Sequence, residues 1–158
     1  MASRKNVQNT RIGTQIRDLH RSLLDIVSVI NRPRRDQILI KEAAIPLDRA
    51  LFPLLVVIDK FGPIGVVDLA DRVGRDYTTV SRQVAKLESL DLIERRADGK
   101  DRRIREAVIS PKGKVMTQAV DAARERIGRR ILKTWDPRDI DELLRLTRKF
   151  ADAIKDEP

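Results

Sequence analysis

The sequence predicts a mainly α-helical fold with one small β-hairpin, and three observations predict it. Apolar residues recur at helical spacing over long stretches near both ends of the chain. Between them, VVDLADRVGRDYTTVSRQVAKLESL reads as two short helices joined by a tight turn. The following segment, LIERRADGKDRRIREAVI, reads as two strands around Asp98-Gly99, a dipeptide suited to a hairpin turn.

Taken in order, the first element is a helix over 14–30. Its apolar residues Ile12, Ile16, Leu19, Leu23, Ile26, Val27 and Ile30 fall on one face, and Asn31-Arg32-Pro33 stops it. Residues 34–46 are ambiguous: Ile38, Leu39, Ile40 and Ile45 allow a short helix before Pro46. Asp48 is a candidate N-cap for a helix through Leu51, Leu54, Leu55 and Ile58 to Phe61, closed by Gly62-Pro63. Pro53 must either kink that helix or mark a later start. Ile64-Gly65 fits a very short strand.

The helix-turn-helix rests on three positions. Ala70 is small where the two helices cross closely, and Gly74, four residues on, supplies the positive φ of the turn. Val80, six residues further, returns an apolar contact from the second helix to the core. Two strands are expected at about 92–96 and 105–110, with the turn at Ala97-Asp98-Gly99-Lys100. After Pro111-Lys112-Gly113 the helical pattern returns with Val115, Met116, Ala119, Val120, Ala123, Ile127, Ile131, Leu132 and Trp135. Asp136-Pro137 breaks it and starts a last helix with Ile140, Leu143, Leu144, Thr147, Phe150, Ala151 and Ile154. The terminal helices carry more apolar surface than a small central domain can cover, so a second copy is expected to bury it. The organisation that follows is an N-terminal dimerisation helix and connector (1–46), a winged helix-turn-helix domain (47–113) and C-terminal dimerisation helices (114–158).

Composition bounds the function. The 158 residues hold 33 Lys+Arg against 24 Asp+Glu, a net charge of +9, which fits a nucleic-acid partner or an anionic membrane surface. The distribution favours the former. Residues 95–114 carry eight basic side chains (Arg95, Arg96, Lys100, Arg102, Arg103, Arg105, Lys112, Lys114) against three acidic ones, whereas 136–158 carries five basic and seven acidic. A chain of this length buries roughly 70% of its unfolded surface. Zero cysteines exclude disulfides and thiolate metal sites. No apolar run reaches the roughly 18 residues of a membrane span, and the opening MASRKNVQNT lacks a signal-peptide core, so a cytoplasmic location is expected. Five aromatic residues leave little stacking capacity for single-stranded nucleic acid.

From about Leu47 to Gly113 the chain resembles the multiple antibiotic resistance regulator (MarR) family of bacterial winged-helix repressors. The residues that carry the resemblance are FGPIGVVDLADRVGRDYTTVSRQVAKLESLDLIERR and DRRIREAVISPKG, the second matching the family's Asp-x-Arg wing and its Ser/Thr-Pro-x-Gly ending. Asp91 departs from the pattern, where the family usually has Gly; Asp tolerates the left-handed conformation at some cost in stability. The resemblance implies a homodimer on a pseudo-palindromic double-stranded DNA site, with each recognition helix in the major groove and each wing tip in the adjacent minor groove. It places Arg103 at the wing tip with Asp101 orienting it and Arg102 beside it, since a guanidinium suits a narrow minor groove. The alternative for Asp101–Arg103 is a plain surface ion pair, worth at most about 1 kcal/mol.

On the recognition helix Tyr77, Thr78, Thr79, Ser81, Arg82, Gln83 and Lys86 are the candidate DNA contacts, while Val80, Val84 and Leu87 face the core. Arg82 suits guanine and Gln83 adenine; Thr78 and Thr79 suit phosphates, and Tyr77 either packs at the helix start or offers its hydroxyl to a phosphate. The resemblance also implies a small aromatic or anionic effector where the winged domain meets the dimer helices, with Phe52, Phe61 and Trp135 as candidate wall residues whose ordinary alternative is core packing. The lone His20 has no second His or Cys nearby, so neither a metal nor a cofactor is expected. No GxSxG, P-loop, GxGxxG or HExxH pattern supports an enzyme. The reading is a sequence-specific transcriptional regulator, in the first instance a repressor. Its rivals are an architectural protein holding DNA through phosphates alone and a winged-helix protein adaptor, against which the basic wing speaks.

Overall fold

A computed structural model of the chain describes residues 4–97, 99 and 105–156. Its first helix, α1 (Arg4–Ile30), starts before the expected 14 because a lone Gly13 costs a long helix only about 1 kcal/mol. Pro33 then does two jobs: it cannot continue α1, and its fixed φ opens α2 (Pro33–Ala43) at a position where no N–H is needed. The ambiguous segment 34–46 is therefore mostly helix.

The next helix corrects one expectation and resolves another. It runs from Phe52 to Phe61 (α3), with Pro53 in its first turn, so the proline marks a late start and not a kink. Asp48 does not cap it. The Asp48 carboxylate accepts the Ala50 N–H at 2.6 Å, and its carbonyl accepts from Leu51 and Phe52. A turn thus occupies 48–51, because placing Pro53 deeper in a helix would remove an intrahelical hydrogen bond.

A two-residue strand β1 (Ile64–Gly65) leads into α4 (Val66–Val73) and, after the turn, α5 (Tyr77–Ser89). The hairpin strands are β2 (Ile93–Ala97) and β3 (Arg105–Ile109). They form an antiparallel sheet in the order β1-β3-β2, with Ile64 opposite Ala107, Ile93 opposite Ile109 and Arg95 opposite Ala107. Asp98, Lys100 and the segment 101–104 lie outside the described residues. Asp91 adopts the left-handed conformation, φ 59°, as its place in the sequence requires. Then α6 (Pro111–Ile131) and α7 (Pro137–Asp156) complete the chain.

The core is built from α3 (Leu54, Leu55, Ile58), α4 (Leu69), α5 (Val80, Val84, Leu87), the sheet (Ile93, Ala107) and α6 (Val120). Each such Leu, Ile or Val contributes about 1.5–3 kcal/mol through burial. This core runs past the expected boundaries at 46/47 and 113/114: Leu39, Ile40 and Ala43 of α2 and Met116 and Val120 of α6 pack on it. An amphipathic α6 long enough to leave the domain still buries its first turns against α3. Glu42 fastens α2 to α6, accepting from Arg126 at 3.1 Å and from Arg130 at 3.3 Å, while Arg126 also donates to the Glu42 carbonyl.

By contrast, no described side chain of α1 or α7 is buried. Ile16 of α1 is 60% exposed and Leu144 of α7 67%, and their apolar neighbours Leu19, Ile26, Leu143 and Ile154 are exposed with them. No described helix is long and apolar enough to cross a membrane.

Candidate nucleic-acid interface

The geometry of α4 and α5 follows from the three positions singled out in the sequence. Ala70 is buried at the crossing, Gly74 takes φ 63° at the α4 C-terminus, and Val80 is fully buried. The N–H of Arg75 returns to the Ala70 carbonyl at 3.1 Å, closing the turn. Asp76 caps α5: its carboxylate accepts the Thr79 N–H at 2.8 Å. The Thr79 hydrogen bonds hold the Asp76 carboxyl below the usual carboxylate range. Sequence reasoning missed this cap, although an Asp immediately before a helix start is a recognisable signal.

With Val80, Val84 and Leu87 inside, the opposite face of α5 is presented to solvent. Thr78, Thr79, Arg82 and Lys86 are exposed there, and Tyr77 is exposed at the helix start. Ser81 and Gln83 are only half-buried edges of the core face. Gln83 in particular lies three residues from Val80 and four from Leu87, on the inner side of the helix, and its Oε1 accepts from Arg75 at 3.0 Å. Gln83 is therefore not brought into line with Arg82.

The basic run of the wing divides in two. Arg95 pairs with Glu88 at 3.3 Å, Arg96 with Glu94 at 3.0 Å and Lys114 with Asp59 at 2.8 Å. Lys112 donates to the Leu90 carbonyl at 2.8 Å, closing the C-terminus of α5. Arg95, Lys112 and Lys114 thus hold the wing and α6 to the domain, a role the charge count conceals, while Arg96 is paired within its own strand. Arg105 is exposed, and Asp101, Arg102 and Arg103 lie outside the described residues.

The three expected pocket residues do not converge within the chain. Phe52 is core, 3% exposed, and forms one wall of a cavity of about 370 Å³ between the end of α1, α2, α3 and α6. Phe61, 54% exposed, sits on the surface under the guanidinium of Arg72, 4.2 Å from the ring centre. Trp135 is 46% exposed beyond α6. Core packing therefore describes Phe52 alone: Phe61 and Trp135 stand at helix ends, where the apolar stripe has already run off the domain. The residues that complete the cavity were not anticipated. Ile38, Leu39, Ile127 and Ile131 provide apolar walls, and Arg35, Asp36 and Arg124 the polar ones. Burial pushes the Asp36 carboxyl up, against the pull of Arg49, Arg75 and Arg124. His20 is exposed on α1.

The chain has clear relatives. The family model HVO_A0114 matches residues 47–106. A protein of Bacillus subtilis (strain 168), described as an uncharacterized HTH-type transcriptional regulator, YxaD, is 36% identical over 110 residues, which cover 67% of this chain and 77% of YxaD. A MarR family protein from Bacillus stearothermophilus superimposes with a TM-score of 0.73 at 19% identity, covering 90% of this chain and 97% of that one. The crystal structure of MarR superimposes with a TM-score of 0.66 at 20% identity, covering 85% and 98%. RV1404 from Mycobacterium tuberculosis gives 0.65 at 22%, covering 90% and 96%. The chain belongs to the HTH-type transcriptional regulators, and it has the fold of MarR family proteins. Within an HTH-type regulator the arrangement has a plain chemical sense. α5 offers hydroxyl, guanidinium and ammonium donors on one face, with Val80, Val84 and Leu87 in the core behind it.

Proposed function

We propose that this chain is a homodimeric, sequence-specific regulator of transcription, acting as a repressor on a pseudo-palindromic duplex site. The observation that carries the reading is the polarity of α5: Val80, Val84 and Leu87 are buried while Thr78, Thr79, Arg82 and Lys86 are exposed on the opposite face. Arg82 reads guanine through two parallel hydrogen bonds, and the threonines and Lys86 hold phosphates that set the register. Arg103, oriented by Asp101 and flanked by Arg102, enters the minor groove from the wing tip.

The exposed stripes of α1 and α7 support the homodimer, since two copies bury what one leaves to water. In this reading 1–46 and 114–158 supply the dimer helices and 47–113 the DNA-reading unit. The two recognition helices must then stand about 34–36 Å apart, one turn of DNA. The cavity at Phe52 supports a small effector with an apolar or aromatic body and an anionic group, the latter facing Arg35 and Arg124. An effector that fits only one helix spacing shifts the protein away from DNA. The kinship with transcriptional regulators supports a role without catalysis.

The test is selection of genomic fragments by the purified protein across a salt series. The expected result is an inverted repeat bound at least about 10³-fold above random DNA. Retention without sequence preference, with the same steep salt dependence, overturns the reading in favour of an architectural protein.

A further inference from the structure

Arg75 sits in the turn between α4 and α5, at the edge of the DNA-facing surface, yet its guanidinium turns inward. One nitrogen, Nη1, donates to the Ala50 carbonyl at 2.7 Å and to Oε1 of Gln83 at 3.0 Å. Ala50 belongs to the turn held by Asp48, two residues before Phe52. A single half-buried side chain therefore bridges the turn before α3 and the recognition helix.

The chemistry makes this link directional. A guanidinium has no acceptor lone pair and stays charged, so the oxygen of the Gln83 amide must face it. That engages inward the oxygen which a paired contact to adenine requires. The charge also acts within the domain: the Asp36 carboxyl, pushed up by burial, is drawn down by Arg49, Arg75 and Arg124.

We propose that Arg75 is a positioning residue for DNA reading: by tying Ala50 to Gln83 it sets the pose of α5 against the domain, without touching DNA itself. The proposal rests on α5 being the base-reading helix. Paired hydrogen bonds to base edges tolerate little displacement of the helix that carries them, whereas phosphate contacts from flexible side chains tolerate more. Loosening the joint therefore weakens cognate binding selectively.

The test uses the full chain, the duplex recovered by genomic selection and a random duplex of equal length, over a salt series. Wild type is compared with Arg75→Met, Gln83→Ala and the double variant, with Tm followed for each. Arg75→Met is expected to lose about tenfold on the selected site while random-DNA affinity and the salt slope stay unchanged. The double variant should lose no more than Arg75→Met alone. Unchanged cognate affinity overturns the proposal. So do equal losses on both duplexes with a salt slope shallower by about one per subunit, the mark of a phosphate contact, and additive losses in the double variant. If Arg75→Met fails to fold, Arg75→Lys decides: its ammonium lacks the guanidinium fork, so an intermediate cognate loss supports the joint and wild-type discrimination overturns it. A wild type without any preferred site fails the base-reading assignment and takes the proposal with it. A wild type with a preferred site and indifferent Arg75 variants fails the proposal alone.

Discussion

Gly113 and Leu92 meet backbone to backbone where the wing rejoins α6. A Cβ on Gly113 would stand inside the van der Waals surface of the Leu92 carbonyl oxygen and 2.7 Å from Cδ1 of Ile109. The same carbonyl accepts the Ser110 N–H at 3.1 Å, and the Ser110 hydroxyl both donates to Asp91 and accepts the Gly113 N–H. This joint fixes the base of the wing against the C-terminus of α5. Gly113→Ala should destabilise the protein by about 1–3 kcal/mol through overpacking against backbone, read as a lower urea midpoint with an unchanged slope. A midpoint equal to wild type would show that the joint yields without cost.

The two arginines proposed to reach DNA should behave differently. Arg82→Ala should reduce the ratio of cognate to random affinity by about 1–3 kcal/mol while random binding falls little. Arg103→Ala should weaken binding and flatten the salt dependence by about one contact per subunit. Fluorescence anisotropy over a salt series measures both. Equal losses on both duplexes would make Arg82 a phosphate contact, and an unchanged slope would remove Arg103 from the wing-tip role.

Two carboxylates near the α2–α6 contact should titrate with opposite signs. Hydrogen bonds from Arg130 and Arg126 hold the Glu42 carboxyl below its usual range. Its stabilising effect is therefore present above the unfolded value and lost as pH falls through the folded one. Burial raises Asp36 against Arg49, Arg75 and Arg124, so its ionised form is disfavoured in the folded state and the neutral isostere gains as pH rises. Glu42→Gln should lower Tm at pH 7 and Asp36→Asn raise it, both differences closing as pH falls below the carboxylate range. Thermal melts between pH 3 and 7 separate the two; a common sign would contradict the assigned partners.

A charge placed on the exposed stripes should dissolve the proposed homodimer. Leu144→Glu on α7 and Ile16→Glu on α1 each put a carboxylate where two copies would exclude water. Sedimentation should show a shift from dimer to monomer, with the helical content of the winged domain retained. An unchanged dimer would place the interface elsewhere.

Much of the site was legible because its residues are dictated locally. Ala70, Gly74 and Val80 each answer a steric demand of two helices crossing at a tight turn, so spacing alone locates them. The strands were legible within a residue because their alternating pattern is local, while the turn expected at 97–100 falls partly outside the described residues. Gln83 and the basic run were not, because a count of donors does not say which way a side chain points. Arg95, Arg96, Lys112 and Lys114 look like a DNA-binding strip until their partners Glu88, Glu94, Leu90 and Asp59 are placed beside them. Asp48 illustrates the same limit: a helix cap and a turn cap have one sequence signature, and Pro53 decides between them.

The sequence by itself determined most of the element order, the helix-turn-helix and its buried face, and the resemblance to a class of regulators. These depend on periodicity, on backbone conformation and on residue size over a few neighbouring positions. Only the tertiary structure decided that Phe52 lines the cavity between α2, α3 and α6 while Phe61 and Trp135 lie apart from it, that α2 and the start of α6 share the winged domain's core, and that Arg75 joins Ala50 to Gln83. The hydrogen bonds among them join residues 8 to 88 positions apart. Their partners are chosen by how whole elements pack, which no local pattern encodes.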